Sequence, residues 1–337
     1  MTPVPKIELP DVPKLVDELT SVPAEERERF LGLPHTRTGH AEAYAAVPAF
    51  DQVELRQANN QPAVGERVRI AAWNLERCLY PQQSARLLQR SGADIALLTE
   101  MDVGMLRTGQ VHTIGAVAEQ LGHGYCYGLE FLELNQMEPP GGHARNGDTN
   151  RVGFHGNAIT AAAPIRNPVV IGLDEVADWF APAAQQRRVG RRMALAATFE
   201  FAAVRFVACT VHLENRTDGA GRAGQMRTLL DALDGYADGL PVVIGGDLNT
   251  DVAPGGYTDA AEPLFAAATE RGYDWARSNL ALPTTRASAW SPGAGTRQLD
   301  WFCVRGADVD ELAVVPALGN DGTVISDHEM VLLSLRL

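Results

Sequence analysis

The stretch VVIGGDLNT at residues 242–250 constrains the fold more than any other part of the chain. Its first three residues are β-branched and apolar, which is typical of a strand buried on both faces. Two glycines follow, and they allow a sharp turn and the close approach of another group. Asp247 and Asn249 lie two residues apart, so their side chains point the same way if the extended backbone continues. The pair suits a site that holds water or a phosphate oxygen, and a strand followed by an Asx turn is the alternative.

Other apolar segments of the chain also end in polar side chains. Residues 68–76 predict one strand, residues 94–100 a second, residues 201–213 a third and residues 298–304 a fourth, and a final strand follows residue 328. In α/β proteins the ends of neighbouring buried strands are where a site is usually built. The side chains that these segments bring to such positions are Asn74, Glu76, Glu100, His212, Asp300, Asp327 and His328.

Strands outnumber helices in this pattern, and the two do not alternate regularly. Further strands are predicted at residues 125–134, 156–160 and 193–199. Helices are predicted at residues 24–31, 84–91, 111–121, 223–233 and 260–271. This mixed order indicates an α/β fold in which two packed sheets carry helices on their outer faces, instead of a repeated βαβ winding. Residues 1–66 are richer in proline and charge, so we interpret them as an N-terminal extension that packs on a main domain of residues 67–337.

Net charge and cysteine usage narrow the range of functions. The chain has 337 residues and a net charge of −13, which disfavours tight binding of a long nucleic-acid duplex. The four cysteines lie far apart without the spacing of a zinc site, so we expect buried, reduced thiols. Neither a signal peptide nor an apolar stretch long enough to span a membrane is evident. We therefore expect a cytoplasmic protein without stable membrane insertion or an obligate protein partner.

The polar residues at the strand ends suit chemistry on phosphate. Carboxylates beside an amide form the ligand set of a hard cation such as Mg²⁺ or Mn²⁺, and arginines, here clustered at residues 187–192, stabilise the charge of a phosphoryl group. We predict that Asp300 accepts the ring N–H of His328. For each histidine alone, a hydrogen-bonded structural role is the alternative. No such context surrounds the histidines that we interpret as surface or loop residues, namely His112, His123, His143 and His155.

From about residue 67 to its end, the chain resembles the endonuclease/exonuclease/phosphatase superfamily. The resemblance is carried by seven motifs in the superfamily's order: WN at 73–74, LTE at 98–100, GNAI at 156–159, VHL at 211–213, GGDLN at 245–249, LDW at 299–301 and SDH at 326–328. It implies a four-layered α/β sandwich with two packed mixed β-sheets flanked by helices. It also implies cleavage of a phosphoester that depends on Mg²⁺ or Mn²⁺.

The same resemblance implies a metal site and a phosphate contact. Asn74, Glu100 and Asp327 are similar to the superfamily's metal-site residues, and Glu100 is the principal ligand among them. Glu76 occupies a position that varies between branches, so we hold it only as an extra ligand. Arg192 lies where relatives often place an arginine that faces the phosphate.

Catalytic roles follow from the resemblance for five further residues. Asp247 resembles the aspartate that activates water, and Asn249 the amide that contacts phosphate. His328 is similar to the catalytic histidine, paired with Asp300. His212 is similar to a histidine of the deoxyribonuclease and sphingomyelinase branches.

Three interpretations of the substrate stay open. The first is a small or medium-sized phosphoester, because the loops at residues 138–149, 181–188 and 281–295 are long enough to shape a pocket. The second is DNA or RNA, for which residues 187–192 with Arg151 and Arg166 would supply a local basic groove. The third is a catalytically inactive scaffold that binds a phosphorylated partner.

Overall fold

The computed structural model describes residues 13–58, 67–135, 149–181, 187–202, 204–250 and 262–336. Within these ranges the larger of two sheets contains β1 (Lys14–Val16), β2 (Gln52–Arg56), β3 (Arg67–Asn74), β4 (Ile95–Val103), β5 (Gly124–Glu133), β6 (Phe154–Ala161), β8 (Arg188–Gly190), β13 (Asp308–Val315) and β14 (Met330–Arg336). The spatial order is β1-β2-β5-β6-β4-β3-β14-β13, and β8 pairs with β5. The sheet is mixed, since β3 and β4 run parallel whereas β14 runs antiparallel to β3.

The smaller sheet is also mixed. It contains β7 (Arg166–Gly172), β9 (Met193–Phe201), β10 (Val204–His212), β11 (Val242–Asp247) and β12 (Asp300–Arg305), in the order β12-β11-β10-β9-β7. Strands β10 and β11 run parallel, and β12 runs antiparallel to β11. The carboxyl ends of β10 and β11 therefore lie beside the start of β12.

Helices cover the outer faces of both sheets. Against the larger sheet pack α1 (Ala24–Gly32), α2 (Arg37–Ala45), α3 (Pro81–Ser91) and α4 (Thr113–Leu121), and against the smaller sheet pack α5 (Gly219–Ala237) and α6 (Leu264–Thr269). A third apolar cluster fills the space between the two sheets. The fold is thus the predicted four-layered α/β sandwich with two packed mixed sheets.

The alternation of side chains along a strand explains these layers. In β3, Val68, Ile70 and Ala72 point into the cluster between the sheets. The intervening Ala71 and Trp73 point into the cluster beneath the helices. Because successive side chains of a strand face opposite sides, a strand that is apolar throughout needs a covering layer on each face.

The described part of the N-terminal segment, residues 13–58, completes the larger sheet. Strand β2 pairs antiparallel with β5, and β1 pairs with β2. Glu54 is buried, and its carboxylate accepts hydrogen bonds from the Leu19 N–H (3.1 Å) and the Tyr125 hydroxyl (2.6 Å). Arg27 donates to the carbonyls of Asn150 (2.9 Å) and Val152 (3.1 Å). These contacts attach the segment to β5 and β6.

Several elements lie outside the predictions made from sequence. They are the strands β1, β2, β7, β8 and β13 and the helix α2. Two of the strands are only three residues long, and β13 is largely half-buried, so neither length nor alternation identifies them. Helix α2 did carry a local signal, because the Thr36 side chain caps it by accepting from the Gly39 N–H. Helix α6 is shorter than the predicted 260–271, whose first two residues lie outside the described ranges.

All four cysteines are buried and carry free thiols. Burial raises the pKa of the Cys126 thiol to about 12, so it stays protonated and inert. Among the described residues, no helix is long and apolar enough to cross a membrane.

Candidate active site

Four strand termini bring polar side chains together at one edge of the sandwich. Asn74 ends β3, His212 ends β10 and Asp247 ends β11. In the sheet register, His212 lies opposite Asp247 on one side, and Asp300, the first residue of β12, lies opposite it on the other. Because β10 pairs parallel with β11 and β12 pairs antiparallel with β11, the side chains of His212, Asp247 and Asp300 lie side by side.

Asp247 is the centre of the cluster. Its Oδ2 accepts a hydrogen bond from Asn74 Nδ2 (3.0 Å) and lies 3.5 Å from His212 Nε2 and 3.7 Å from His328 Nε2. Its Oδ1 accepts from the Asn249 N–H (2.9 Å). The carboxylate is 2% exposed, and burial and the neighbouring Asp300 raise its pKa, although His328 opposes this rise. A raised pKa makes Asp247 a stronger proton acceptor than an ordinary aspartate.

His328 is held in place from both its ring and its backbone. Its Nδ1 lies 2.8 Å from Asp300 Oδ2, its N–H donates to Ser326 Oγ (3.0 Å), and its carbonyl accepts from Trp73 Nε1 (2.8 Å). Burial alone would lower the pKa of His328, but the Asp300 and Asp247 carboxylates hold it well above its usual range. The ring is therefore a cation at neutral pH, with Nε2 directed towards Asp247.

His212 has the opposite character. Burial and the nearby Arg192 hold its pKa well below the usual range, so the ring is neutral. Its Nδ1 is buried without a hydrogen bond and lies 3.9 Å from Glu130 Oε2. The site thus places one charged and one neutral imidazole on opposite sides of Asp247.

Asn249, two residues after Asp247, adopts a left-handed backbone conformation (φ 48°). Its N–H donates to the Asp247 carboxylate, which is the Asx turn that the sequence offered as an alternative. Its Nδ2 donates to the Leu213 carbonyl (2.9 Å). The side chain is thereby fixed at the end of β11, and its contact with a substrate phosphate stays a prediction.

Three further carboxylates lie near Asn74. Glu100 Oε1 accepts from Asn74 Nδ2 (3.3 Å), whereas its Oε2 is buried without a hydrogen bond and has the Arg77 guanidinium at 3.4 Å. Burial and the nearby Asp327 raise the pKa of Glu76 to about 7. Glu76 and Asp327 therefore repel each other when both are ionised.

These carboxylates suit a hard cation that takes only one or two ligands from the protein. No three histidine, cysteine or acidic side chains of the described residues are grouped as a ready metal site. Mg²⁺ does not require such a group, because it usually keeps several waters and takes one or two carboxylates. Three features match such a cation: a Glu100 oxygen that accepts no hydrogen bond, the mutual repulsion of Glu76 and Asp327, and the adjoining Asn74 amide.

Arg192 is buried beside the site and already has acidic partners. Its guanidinium lies 2.8 Å from Glu130 Oε1 and 3.4 Å from Glu214 Oε2. Trp179 Nε1 donates to the same Glu214 oxygen (2.7 Å). Arg192, Glu214 and Trp179 also line a cavity of about 140 Å³, to which α2 contributes His40.

The basic cluster at residues 187–192 is not an exposed surface. Arg187 and Arg188 are buried like Arg192. Arg187 donates to the Leu31 and Leu33 carbonyls, and Arg188 pairs with Glu133 (2.8 Å). The groove expected from sequence is therefore wrong for Arg187, Arg188 and Arg192, because their guanidinium groups contact other groups inside the protein. Arg191 is partly exposed. Arg151 and Arg166 are exposed.

One histidine assigned to the surface is in fact buried next to the site. His155 on β6 is 2% exposed, and its Nδ1 lies 2.8 Å from Asp102 Oδ1. It contributes to keeping the pKa of Glu100 low, after the larger effect of Arg77. Sequence offered only one signal for it, its position inside an apolar strand. His112 and His123 are partly buried, and His143 lies outside the described residues.

Of the three loops expected to shape a pocket, the one at 281–295 is described in full. Ser288 Oγ and Ser291 Oγ both donate to Glu76 Oε1, and the Trp290 ring lies 4.7 Å from the Arg77 guanidinium carbon. This loop is thus attached to the carboxylate side of the site. Residues 138–148 and 182–186 of the other two lie outside the described ranges.

Comparison with known proteins gives a consistent picture. The model of a family described as Endonuclease/Exonuclease/phosphatase matches residues 71–328. No curated protein matches the chain. The fold is similar to that of an endonuclease/exonuclease/phosphatase from Beutenbergia cavernae DSM 12333, at 20% identity and a TM-score of 0.58, covering 80% of this chain and 72% of that one.

Two other solved structures share the fold. The catalytic domain of human Nocturnin, with a bound sulfate anion, has 17% identity and a TM-score of 0.54, covering 80% of this chain and 93% of that one. A mannosyl-6-phosphatase of Bacteroides thetaiotaomicron VPI-5482 has 17% identity and a TM-score of 0.53, covering 80% of this chain and all of that one (100%). At such identities the likeness concerns the fold alone.

Proposed function

Because the chain belongs to the Endonuclease/Exonuclease/phosphatase family, we propose that it is a divalent-metal-dependent hydrolase that cleaves a small or medium-sized phosphoester. The observation that carries this proposal is the surroundings of Asp247. One carboxylate oxygen lies within 3.7 Å of Asn74 Nδ2, His212 Nε2 and His328 Nε2, and Asp300 lies 2.8 Å from the far side of the His328 ring. A merely structural carboxylate has no need of two imidazoles and an orienting aspartate.

In the proposed mechanism Asp247 accepts a proton from the attacking water as the water oxygen bonds to phosphorus. The ester P–O bond breaks, and the departing alcohol oxygen takes up a proton from solvent. Burial raises the pKa of Asp247 towards the range of an effective base, and the Asn249 N–H and Asn74 amide fix its orientation. His328, kept charged and oriented by Asp300, stabilises negative charge on the phosphoryl group through Nε2–H. His212 is neutral and contacts the group from the smaller sheet.

Glu100 and Asn74, with Asp327 and Glu76 beside them, are the residues that would hold the cation. A cation held there would polarise a phosphate oxygen and would offset the charge that develops on it. Three observations support the assignment: the Glu100 oxygen that accepts no hydrogen bond, the raised pKa of Glu76, and the two hydrogen bonds that place Asn74 between Glu100 and Asp247.

Two features favour a small substrate over a nucleic-acid duplex. The arginines at residues 187, 188 and 192 are buried in contacts with the protein itself, so they offer no basic groove for a phosphate backbone. The cavity beside the site has a volume of about 140 Å³, which suits a group of a few heavy atoms. The mannosyl-6-phosphatase with the same fold is an example of a relative that is named for a sugar phosphate.

Hydrolysis of three substrates would test the proposal. Bis-p-nitrophenyl phosphate, p-nitrophenyl phosphate and plasmid DNA are each incubated with Mg²⁺, Mn²⁺ or EDTA. We expect cleavage of a small ester with either cation, no cleavage in EDTA, and intact plasmid. Nicked plasmid would instead assign a nuclease.

The variant Asp247→Asn serves as the inactive control, and its rate should fall by about 10²- to 10⁴-fold. A wild-type chain that cleaves none of these esters would favour the inactive scaffold. An Asp247→Asn variant as active as the wild type would place the reaction at a different site.

A further inference from the structure

The turn that follows β3 has an unusual backbone. Glu76 (φ 46°), Arg77 (φ 69°) and Cys78 (φ 56°) are three successive non-glycine residues in the left-handed region. Each such residue is unfavourable by itself, and a run of three persists only where surrounding contacts enforce it. This turn lies two residues beyond Asn74, at the carboxylate side of the site.

The contacts that enforce the turn are visible on both sides of Arg77. Before it, Glu76 accepts from the hydroxyls of Ser288 and Ser291 on the 281–295 loop. After it, Cys78 is fully buried in the core beneath the helices, and its N–H donates to the Leu75 carbonyl (2.8 Å). Arg77 is thereby held between two anchored neighbours, and its side chain is turned back towards Glu100.

The Arg77 guanidinium is held in position but forms no strong hydrogen bond among the described contacts. Its carbon lies 4.7 Å from the centre of the Trp290 ring, and Nη1 lies 3.4 Å from Glu100 Oε2. That distance exceeds the 2.7–2.9 Å of a strong charge-assisted hydrogen bond. The Nε atom is buried and has no hydrogen bond. Arg192, in contrast, has a full ion pair at 2.8 Å with Glu130.

A phosphoryl group in this site needs positive partners from the protein in addition to the cation proposed above. Four carboxylates surround the space, those of Glu76, Glu100, Asp247 and Asp327. His328 lies on the Asp247 side, with its Nε2 3.7 Å from Asp247 Oδ2. On the other side, the chain of contacts from Asp247 through Asn74 to Glu100 ends at Arg77.

We propose that Arg77 binds a non-bridging phosphoryl oxygen of the substrate, and that Trp290 is the platform that keeps its guanidinium beside Glu100. The proposal rests on the phosphoesterase function given above and reassigns the phosphate contact predicted for Arg192. A guanidinium suits the task because its planar N–H groups match the oxygens of a phosphate. The strain of residues 76–78 serves to aim it.

Binding of inorganic phosphate to the full chain, measured by titration calorimetry in excess Mg²⁺, tests the proposal without turnover. We expect Arg77→Gln to weaken phosphate binding about 10- to 100-fold, the effect of losing one or two hydrogen bonds to a charged group. Arg77→Lys should recover part of the loss, because it restores the charge without the planar geometry. The matched control is Arg205→Gln, an exposed arginine about 23 Å along β10 from His212.

A second variant separates binding from folding. Glycine adopts the conformation at φ 69° freely, so Arg77→Gly should keep or raise the thermal midpoint while it weakens phosphate binding as Arg77→Gln does. A structural role would instead lower the midpoint.

Wild-type phosphate affinity in Arg77→Gln would overturn the assignment of Arg77 and leave the phosphoesterase function intact. If the wild-type chain binds no phosphate and hydrolyses no ester, both proposals fail.

Discussion

At the scale of single residues, two histidines of this site differ in charge, since His328 is a cation and His212 is neutral. His328 faces the Asp300 and Asp247 carboxylates, which hold its pKa well above the usual range despite burial. His212 is buried beside Arg192, and its closest approach to Glu130 is 3.9 Å, so its pKa falls well below that range. Asp300 therefore acts on the reaction through His328 and is a positioning residue.

The variant Asp300→Asn tests this role. The amide is of the same size but carries no charge, so His328 loses both its orientation and its main stabilising partner. We expect kcat to fall by about 10²- to 10⁴-fold with a much smaller change in KM. Steady-state kinetics on the ester that the wild type cleaves gives both constants. The control is Asp310→Asn, which alters a carboxylate on β13 that pairs with Arg336, and it should leave kcat and KM unchanged. Equal kcat values for the two variants would contradict the role of Asp300.

At the scale of secondary-structure elements, two glycines let β11 pack tightly enough to form the site. A Cβ on Gly245 would lie 2.9 Å from the Ala72 Cβ on the opposite sheet and 2.7 Å from the Phe302 ring. At Gly246 (φ 151°) a Cβ would lie 2.0 Å from the Val211 carbonyl oxygen on β10. The second contact is with backbone, which cannot move aside without breaking the pairing of β10 with β11.

Gly246→Ala should therefore destabilise the protein by about 3 kcal/mol, as overpacking in a rigid core does. It should also reduce turnover, since Asp247 is the next residue. Urea unfolding at pH 7 measures the free energy. Gly32→Ala at the end of α1, where a Cβ meets nothing within 4 Å, is the matched control and should be neutral. Similar midpoints for the two variants would show that β10 and β11 can separate at low cost.

At the scale of the whole molecule, arginine side chains that donate hydrogen bonds to backbone carbonyls join the described part of the N-terminal segment to the sandwich. Arg27 donates to three carbonyls, those of Asn150 (2.9 Å), Val152 (3.1 Å) and Arg151 (3.3 Å). Arg187 in turn donates to the carbonyls of Leu31 and Leu33, at the carboxyl end of α1. We propose that residues 1–66 and 67–337 unfold together.

Arg27→Ala should lower the free energy of unfolding by about 1–3 kcal/mol, because it leaves carbonyls near β6 without a charged donor. Arg29→Ala is the matched control on the same helix. Arg29 pairs only with Glu26 and Glu42 at the surface among the described contacts, so its loss should be undetectable. Chemical unfolding followed by both tryptophan fluorescence and circular dichroism measures this. Separate transitions for the two signals would contradict joint unfolding.

The pH dependence of stability is a second property of the whole fold. Burial lowers the pKa of His123 to about 4, whereas an unfolded histidine has a pKa near 6.5. Protons therefore favour the unfolded chain, so stability is complete above pH 6.5 and falls as the pH drops towards 4. From this residue we expect a loss of about 2 kcal/mol at pH 5.

His123→Gln should remove that loss, which comparison of unfolding at pH 7 and pH 5 would show. His35→Gln, at an exposed histidine, should retain it. A wild-type chain and a His123→Gln variant with the same pH dependence would show that the ring stays solvated.

Local sequence was sufficient for the strands that form the site. Apolar runs that end in Asn74 and Asp247 occur at strand ends in the structure, because burial on both faces demands such runs. The strand end predicted at Glu100 is wrong, because β4 continues to Val103 and Glu100 lies at an irregularity in its pairing with β6. The pairing of Asp300 with His328 was also suggested from sequence, and the two side chains lie 2.8 Å apart. Their catalytic roles stay predictions.

What the sequence by itself determined was therefore the layered fold and the residue types at the strand ends. Only the tertiary structure decided which charges are free. Arg192 and Arg77 look alike in sequence, but one is paired with Glu130 and the other lies beside Trp290 with an unpartnered nitrogen. Likewise, Glu76 finds Ser288 some 212 positions away along the chain. The physical reason is that periodicity reports burial of a strand, whereas charge state and hydrogen bonding depend on neighbours that folding brings from distant segments.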